Sequence, residues 1–112
     1  MATESRYSMV IIDVDNRNFT IQVLRFDNGS FVSITEHQDK IGGVLASIGK
    51  DSIPVSSTII PAKSESLFLK LISEQISSII KGINIISAFI PQELDSKIAN
   101  ALMSKIKEIV EK

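Results

Sequence analysis

Two stretches of the sequence set chemistry-bearing residues at close spacing. In the first, IGGVLASIGKDS from Ile41 to Ser52, glycines stand beside Lys50, the ingredients of a loop whose backbone N–H groups wrap phosphates. The spacing fails. Such a loop needs a glycine five positions before Gly49, where Val44 stands, and a hydroxyl after Lys50, where Asp51 stands. The anionic Asp51 would repel the ligand, and Val44-Leu45-Ala46-Ser47-Ile48 suits a half-buried strand running into a turn. In the second, TEHQDK, the lone histidine His37 adjoins Glu36 and lies near Asp39, which could be written as a general base with an orienting carboxylate. Adjacency in sequence does not aim side chains at one another, and this polar stretch reads as a solvated loop after a strand.

Asp13 and Asp15, two apart, could share a strand face as ligands for a hard cation. As residues that end a strand and begin the turn Asp15-Asn16-Arg17-Asn18, they have a simpler role, bonding nearby backbone groups. The serine pairs Ser56-Ser57 and Ser77-Ser78 lack a G-x-S-x-G setting. The reading is of a protein that is not an enzyme and takes no cofactor or metal.

Composition agrees. The chain of 112 residues is expected to form a single domain, 1–112, around one core. Twelve Lys and Arg against 13 Asp and Glu, net charge −1, leave no basic surface for nucleic acid or anionic lipid. Without cysteine there is neither a disulfide nor a thiolate site. MATESRYSM has no targeting pattern, and the later apolar stretches are broken by Lys70, Glu74 and Lys81, so a soluble, cytoplasmic protein without membrane contact is expected.

Positioning falls to eight elements. YSMVIIDV (7–14) and FTIQVLRF (19–26) read as strands joined by the turn at 15–18. Asp27-Asn28-Gly29 then makes a hairpin to SFVSITEH, residues 30–37. Gly42 to Ile48 and IPVSSTII (53–60) form another hairpin through Gly49-Lys50-Asp51-Ser52. From Ser64, a capping residue, the apolar period lengthens: Phe68, Ile72, Ile76, Ile79 and Ile80 mark a helix that ends at Lys81-Gly82. INIISAFI (83–90) is an Ile-rich buried strand, and a last helix begins near Pro91 with Glu93 and Asp95 at its positive end and Leu94, Ile98, Leu102, Ile106 and Ile109 on one face. The class is α+β, order βββββαβα: a mostly antiparallel sheet of about six strands with two helices on one face.

Two helices cover only one face, yet the strands are apolar on both. YSMVIIDV sets Met9 and Ile11 against Val10 and Ile12, and the second strand sets Phe19, Ile21 and Val23 against Leu24 and Phe26. INIISAFI does the same, with Ile83, Ile85 and Phe89 opposite Ile86, Ala88 and Ile90. Covering such a face stabilises by about 25 cal/mol per Å². A dimer joined sheet to sheet is expected, with Val10, Ile12, Phe19, Ile21, Val23 and Phe31 at its interface; the alternative folds the N-terminal strands over as a second layer within one chain. For a partner protein, the exposed turn Lys50, Asp51 and Ser52 is the expected contact.

At DSIPVSSTII, Asp51 to Ile60, the sequence resembles the proteasome-assembly chaperone family, in particular its small type-three and type-four members, as an archaeal-like homolog. The resemblance extends over residues 19–112 through FDNGSFVSI, GGVLASIGKDSIPVS and the closing ALMSKIKEIVEK. It implies a non-enzymatic chaperone that binds α-type subunits of the 20S proteasome and assists α-ring formation, working as a homo-oligomer, dimer or tetramer. Larger members of the family carry a C-terminal hydrophobic-Tyr-any tripeptide; Val110-Glu111-Lys112 has no tyrosine, so that anchor is not expected here. The alternative is a roadblock or longin-like dimeric scaffold for a GTPase or signalling complex, whose early helix does not match five strand signals ahead of the first helix.

Overall fold

The computed structural model describes residues 6–49, 55–64 and 66–111. They form β1 (Tyr7–Val14), β2 (Arg17–Phe26), β3 (Gly29–Glu36), β4 (Gly43–Gly49), β5 (Val55–Ile60), α1 (Ser66–Ile79), β6 (Gly82–Phe89) and α2 (Ser96–Val110). The class is α+β, and the element order is the one the sequence predicts.

All described strands belong to one sheet in the order β1-β2-β3-β6-β4-β5. The N-terminal strands therefore do not make a second layer. Every neighbouring pair is antiparallel except β3 and β6, which run parallel. Asp15 (φ 51°) and Asn16 (φ 64°) are the whole turn between β1 and β2, and Val14 opposite Arg17 closes it. Two consecutive positive φ values give the turn a twist that matches the flanking strands, and short Asx side chains tolerate them. Arg17 and Asn18, expected in that turn, are already ladder residues.

Glycine is required where the parallel pair begins. A Cβ on Gly29 would overlap the carbonyl of Ile83, and one on Gly82 (φ 102°) would overlap the carbonyl of Asn28. The two glycines let the backbones close, and the Ile83 N–H donates to the Asn28 carbonyl at 2.8 Å.

Both helices start later than the residue types suggest. Ser64 does not cap α1; its hydroxyl donates to the Ile90 carbonyl at 2.6 Å and ties the approach of α1 to the end of β6. α2 begins after Asp95, whose carboxylate accepts the Ile98 N–H at 2.8 Å. The stretch after Pro91 lies outside the helix, and its Gln92 and Glu93 carbonyls accept hydrogen bonds from Arg17.

The core lies between the sheet and the two helices. Phe19, Ile21, Val23, Val32, Ile34 and Ile86 point into it, met by Phe68, Ile72 and Ile76 of α1 and Ile98, Leu102 and Ile106 of α2. Phe19 and Ile21 are 0% exposed and Val23 is 2% exposed, while Val10 and Ile12 pack half-buried against the same cluster. These five expected interface residues thus belong to the helix-covered face. Only Phe31 of that set lies on the other side, 45% exposed.

One polar chain crosses this core. Asn84, wholly buried in β6, accepts from the Ser30 hydroxyl at 2.6 Å and donates to the Ile80 carbonyl at 2.9 Å and the Ser77 hydroxyl at 3.4 Å. The Ser77 and Ser47 hydroxyls form a short hydrogen bond. The amide so satisfies a carbonyl at the end of α1, where helices leave acceptors unpaired, and fixes α1 to the sheet by geometry as well as packing.

Candidate interaction surface

Antiparallel and parallel registers fix which side chains stand in line on the uncovered face. One row runs Tyr7, Leu24, Phe31, Ile85, Ala46, Ser57 across all the strands. The row toward the β2–β3 turn runs Phe26, Gly29, Ile83, Ile48, Val55. In the other direction the next row is Met9, Gln22, Ser33, Ser87, Val44, Ile60. The apolar side chains are therefore not spread evenly. They fill the half of the face nearest the β2–β3 turn, and the middle of the other half is hydroxyl and amide.

Exposure follows. Leu24, Phe26, Phe31, Ile48 and Ile83 are each between 41% and 53% exposed, and Val55 is 67% exposed. Large apolar side chains open to water in one contiguous block mark an association surface more reliably than scattered ones do. The block carries no charged group, so its energetics on contact are those of apolar burial.

The residues considered for chemistry are engaged elsewhere. Glu36 does not face His37. It is 2% exposed and takes two hydrogen bonds from Arg17, at 2.8 Å from Nε and 2.7 Å from Nη2. The Arg17 guanidinium also lies 5.3 Å from the centre of the Phe19 ring. His37 has φ 64°, its side chain is exposed, and its backbone N–H donates to Asn18. Asp39 accepts from the Thr35 hydroxyl at 3.3 Å. Asp13 accepts from the Asn18 amide and Asp15 from Lys97, each at 2.9 Å. The ammonium of Lys97 is held above its ordinary pKa, first by that hydrogen bond and then by the Asp15 charge. Among the described residues no group of three or more His, Cys, Asp or Glu could hold a metal ion. Lys50, Asp51 and Ser52, the expected partner-binding loop, lie outside the described residues.

Leu24, Phe26, Ile48 and Ile83 were not singled out as interface residues from the sequence. The alternation along β2 puts Leu24 and Phe26 on the face opposite Phe19, but which face stays open is set by where the helices pack, which the strand pattern does not carry.

No family model matches the sequence, and no curated protein matches it. Its fold is similar to that of a chain in the crystal structure of a novel chaperone complex for yeast 20S proteasome assembly. That match has a TM-score of 0.65 with 13% identity and covers 96% of this chain and 99% of the yeast chain. No helix among the described residues is long and apolar enough to cross a membrane.

Proposed function

We propose that this chain is a non-enzymatic assembly chaperone of the cytoplasm that binds α-type subunits of the 20S proteasome and assists formation of the α ring as a homo-oligomer. The observation that carries the reading is the end-to-end fold likeness: both chains are covered almost completely, so the resemblance includes every layer of the domain. The uncovered apolar face fits the same role, since a protein that works by contact needs a surface to offer. In this reading two copies join through the Leu24, Phe31 and Ile83 block, and the segment Lys50, Asp51 and Ser52 meets the proteasome subunit. No bond is made or broken; the work is positioning.

Size-exclusion chromatography with light scattering, on the protein alone and after mixing with a purified proteasome α subunit, tests it. The expected result is a dimer or larger species that moves to a stable heavier complex. A protein that leaves the α subunit's elution unchanged overturns the chaperone reading, and a monomeric mass overturns the homo-oligomer. Joint substitution of Lys50 and Asp51 by alanine is expected to weaken the heavier complex at least about tenfold; unchanged binding moves the contact elsewhere.

A further inference from the structure

β1 and β5 are the two edges of the sheet, and only β5 is built to discourage pairing. In the β4–β5 ladder Val44 stands opposite Ile60 and Leu45 opposite Thr58, so Ile59 is an extra residue that bends the strand. β1 has no such break. Its eight residues, YSMVIIDV, pair with β2 in unbroken register and contain neither lysine nor proline, the devices that blunt an exposed edge.

The hydrogen-bond phase of the edge can be read from its first rung. The Arg25 N–H donates to the Arg6 carbonyl at 2.7 Å, and in antiparallel ladders bonded and non-bonded pairs alternate. Ser8, Val10, Ile12 and Val14 therefore turn their backbone groups toward β2, and Met9, Ile11 and Asp13 turn theirs outward. A further strand would bond to those odd-numbered residues.

We infer that the outer edge of β1 pairs antiparallel with β1 of a second copy about a two-fold axis through Val10, extending the sheet from one copy into the next. The strand's own sequence selects both occupant and register. A two-fold axis perpendicular to the sheet keeps helix-covered faces on one side, so residues opposite each other must have the same parity. Centring on Val10 puts Met9 opposite Ile11, apolar against apolar on the open face, and Ser8 opposite Ile12 on the helix-covered side. Asp13 then stands opposite Tyr7 and never opposite its own charge. Centring on Ile11 instead would set the Asp13 carboxylate against Met9. The contact is distinct from the sheet-face contact, and it does not depend on any proteasome subunit. With both contacts present, two extended sheets stack into a tetramer.

Cysteine cross-linking tests the register, because the chain contains no cysteine of its own. Val10 opposes itself across the axis, with Cβ atoms about 4.5–5.5 Å apart as in other non-hydrogen-bonded pairs, within a small adjustment of disulfide geometry. It points to the helix-covered side, so a sheet-face dimer cannot bring two copies of it together. Val10→Cys, oxidised with diamide, is expected to give a covalent dimer on a non-reducing gel at least about ten times faster than Ile12→Cys. Adding Met9→Pro, which removes an outward N–H and no bond to β2, is expected to abolish the cross-link while circular dichroism stays unchanged. If the double variant unfolds, Met9→Glu replaces it. No cross-link from Val10→Cys, as when a foreign extended peptide occupies the edge, overturns the inference. Equal rates from both cysteines overturn it too.

Discussion

Arg17 and Glu36 face each other across β2 and β3 with two parallel hydrogen bonds of 2.8 and 2.7 Å, and the carboxylate side chain is 2% exposed. The same guanidinium donates to the Gln92 and Glu93 carbonyls, so one side chain joins the sheet to the segment that leads into α2. Removing one partner from a buried pair costs more than the pair contributes, because the other charge stays desolvated. Arg17→Met is expected to destabilise by about 3–5 kcal/mol, measured by urea unfolding. Arg17→Met with Glu36→Leu is expected to recover most of that loss. A double variant no better than the single one would show that the carbonyl contacts, and not the charge pair, matter.

The two faces of the sheet should answer differently to the same change. Ile21→Ala, in the core, is expected to lose about 2–5 kcal/mol. Phe31→Glu, on the open face, should leave the fold intact and lower the mass seen by light scattering. A folded Phe31→Glu variant with the unaltered mass would place the self-contact elsewhere.

Asn84 has three partners and no access to water. Asn84→Ala strips Ser30, Ser77 and the Ile80 carbonyl of a bond together and opens a small cavity, so a loss of about 3 kcal/mol is expected. Ser30→Ala, which removes one donor, should cost about 1 kcal/mol. Chemical denaturation of both variants measures the ratio, and equal costs would mean that the chain of bonds is not a unit.

Gly29→Ala needs a Cβ where the Ile83 carbonyl already sits. The expected outcome is loss of soluble protein or a drop in Tm of more than 10 °C, roughly what 2 kcal/mol or more makes in a domain of this size. A Tm within a few degrees would mean that the β3–β6 ladder yields more easily than its backbone packing suggests.

Lys97, paired with Asp15, has its pKa raised. A folded value above the unfolded one contributes stability that is present below the ordinary lysine pKa and is lost as the pH climbs through the raised value. Asp15→Asn should bring the Lys97 pKa back down, as read from its side-chain carbon shifts in an alkaline NMR titration. An unmoved titration would assign the shift to another charge.

Element identity and order were legible because each is local. DNG and Gly82 punctuate the chain, and the apolar spacing changes from two to three and four at the first helix. The choice of face was not legible. β2 carries Phe19, Ile21 and Val23 on one side and Leu24 and Phe26 on the other, and a period of two cannot rank two apolar sides. The helices decide, and their side of the sheet is a tertiary fact. Arg17 with Glu36 was hidden for the same reason: 19 positions separate them, and the charged pair looked like a turn residue and a loop residue. Asn84, a lone amide in an Ile-rich strand, is a visible mark in that strand of a buried polar partner.

β6, seventh of the eight described elements in chain order, lies between β3 and β4 at the middle of the sheet. During synthesis the chain therefore holds two unfinished half-sheets, β1-β2-β3 and β4-β5, each with an inner edge that nothing yet occupies. Neither can close until residues up to Phe89 have left the ribosome. Pairing of such distant segments is slow, and open inner edges invite wrong partners. A nascent chain stalled before Gly82 should thus bind holdase chaperones that a chain stalled well past Phe89 no longer engages, so that a protein proposed to assist assembly would itself be a client early in its life.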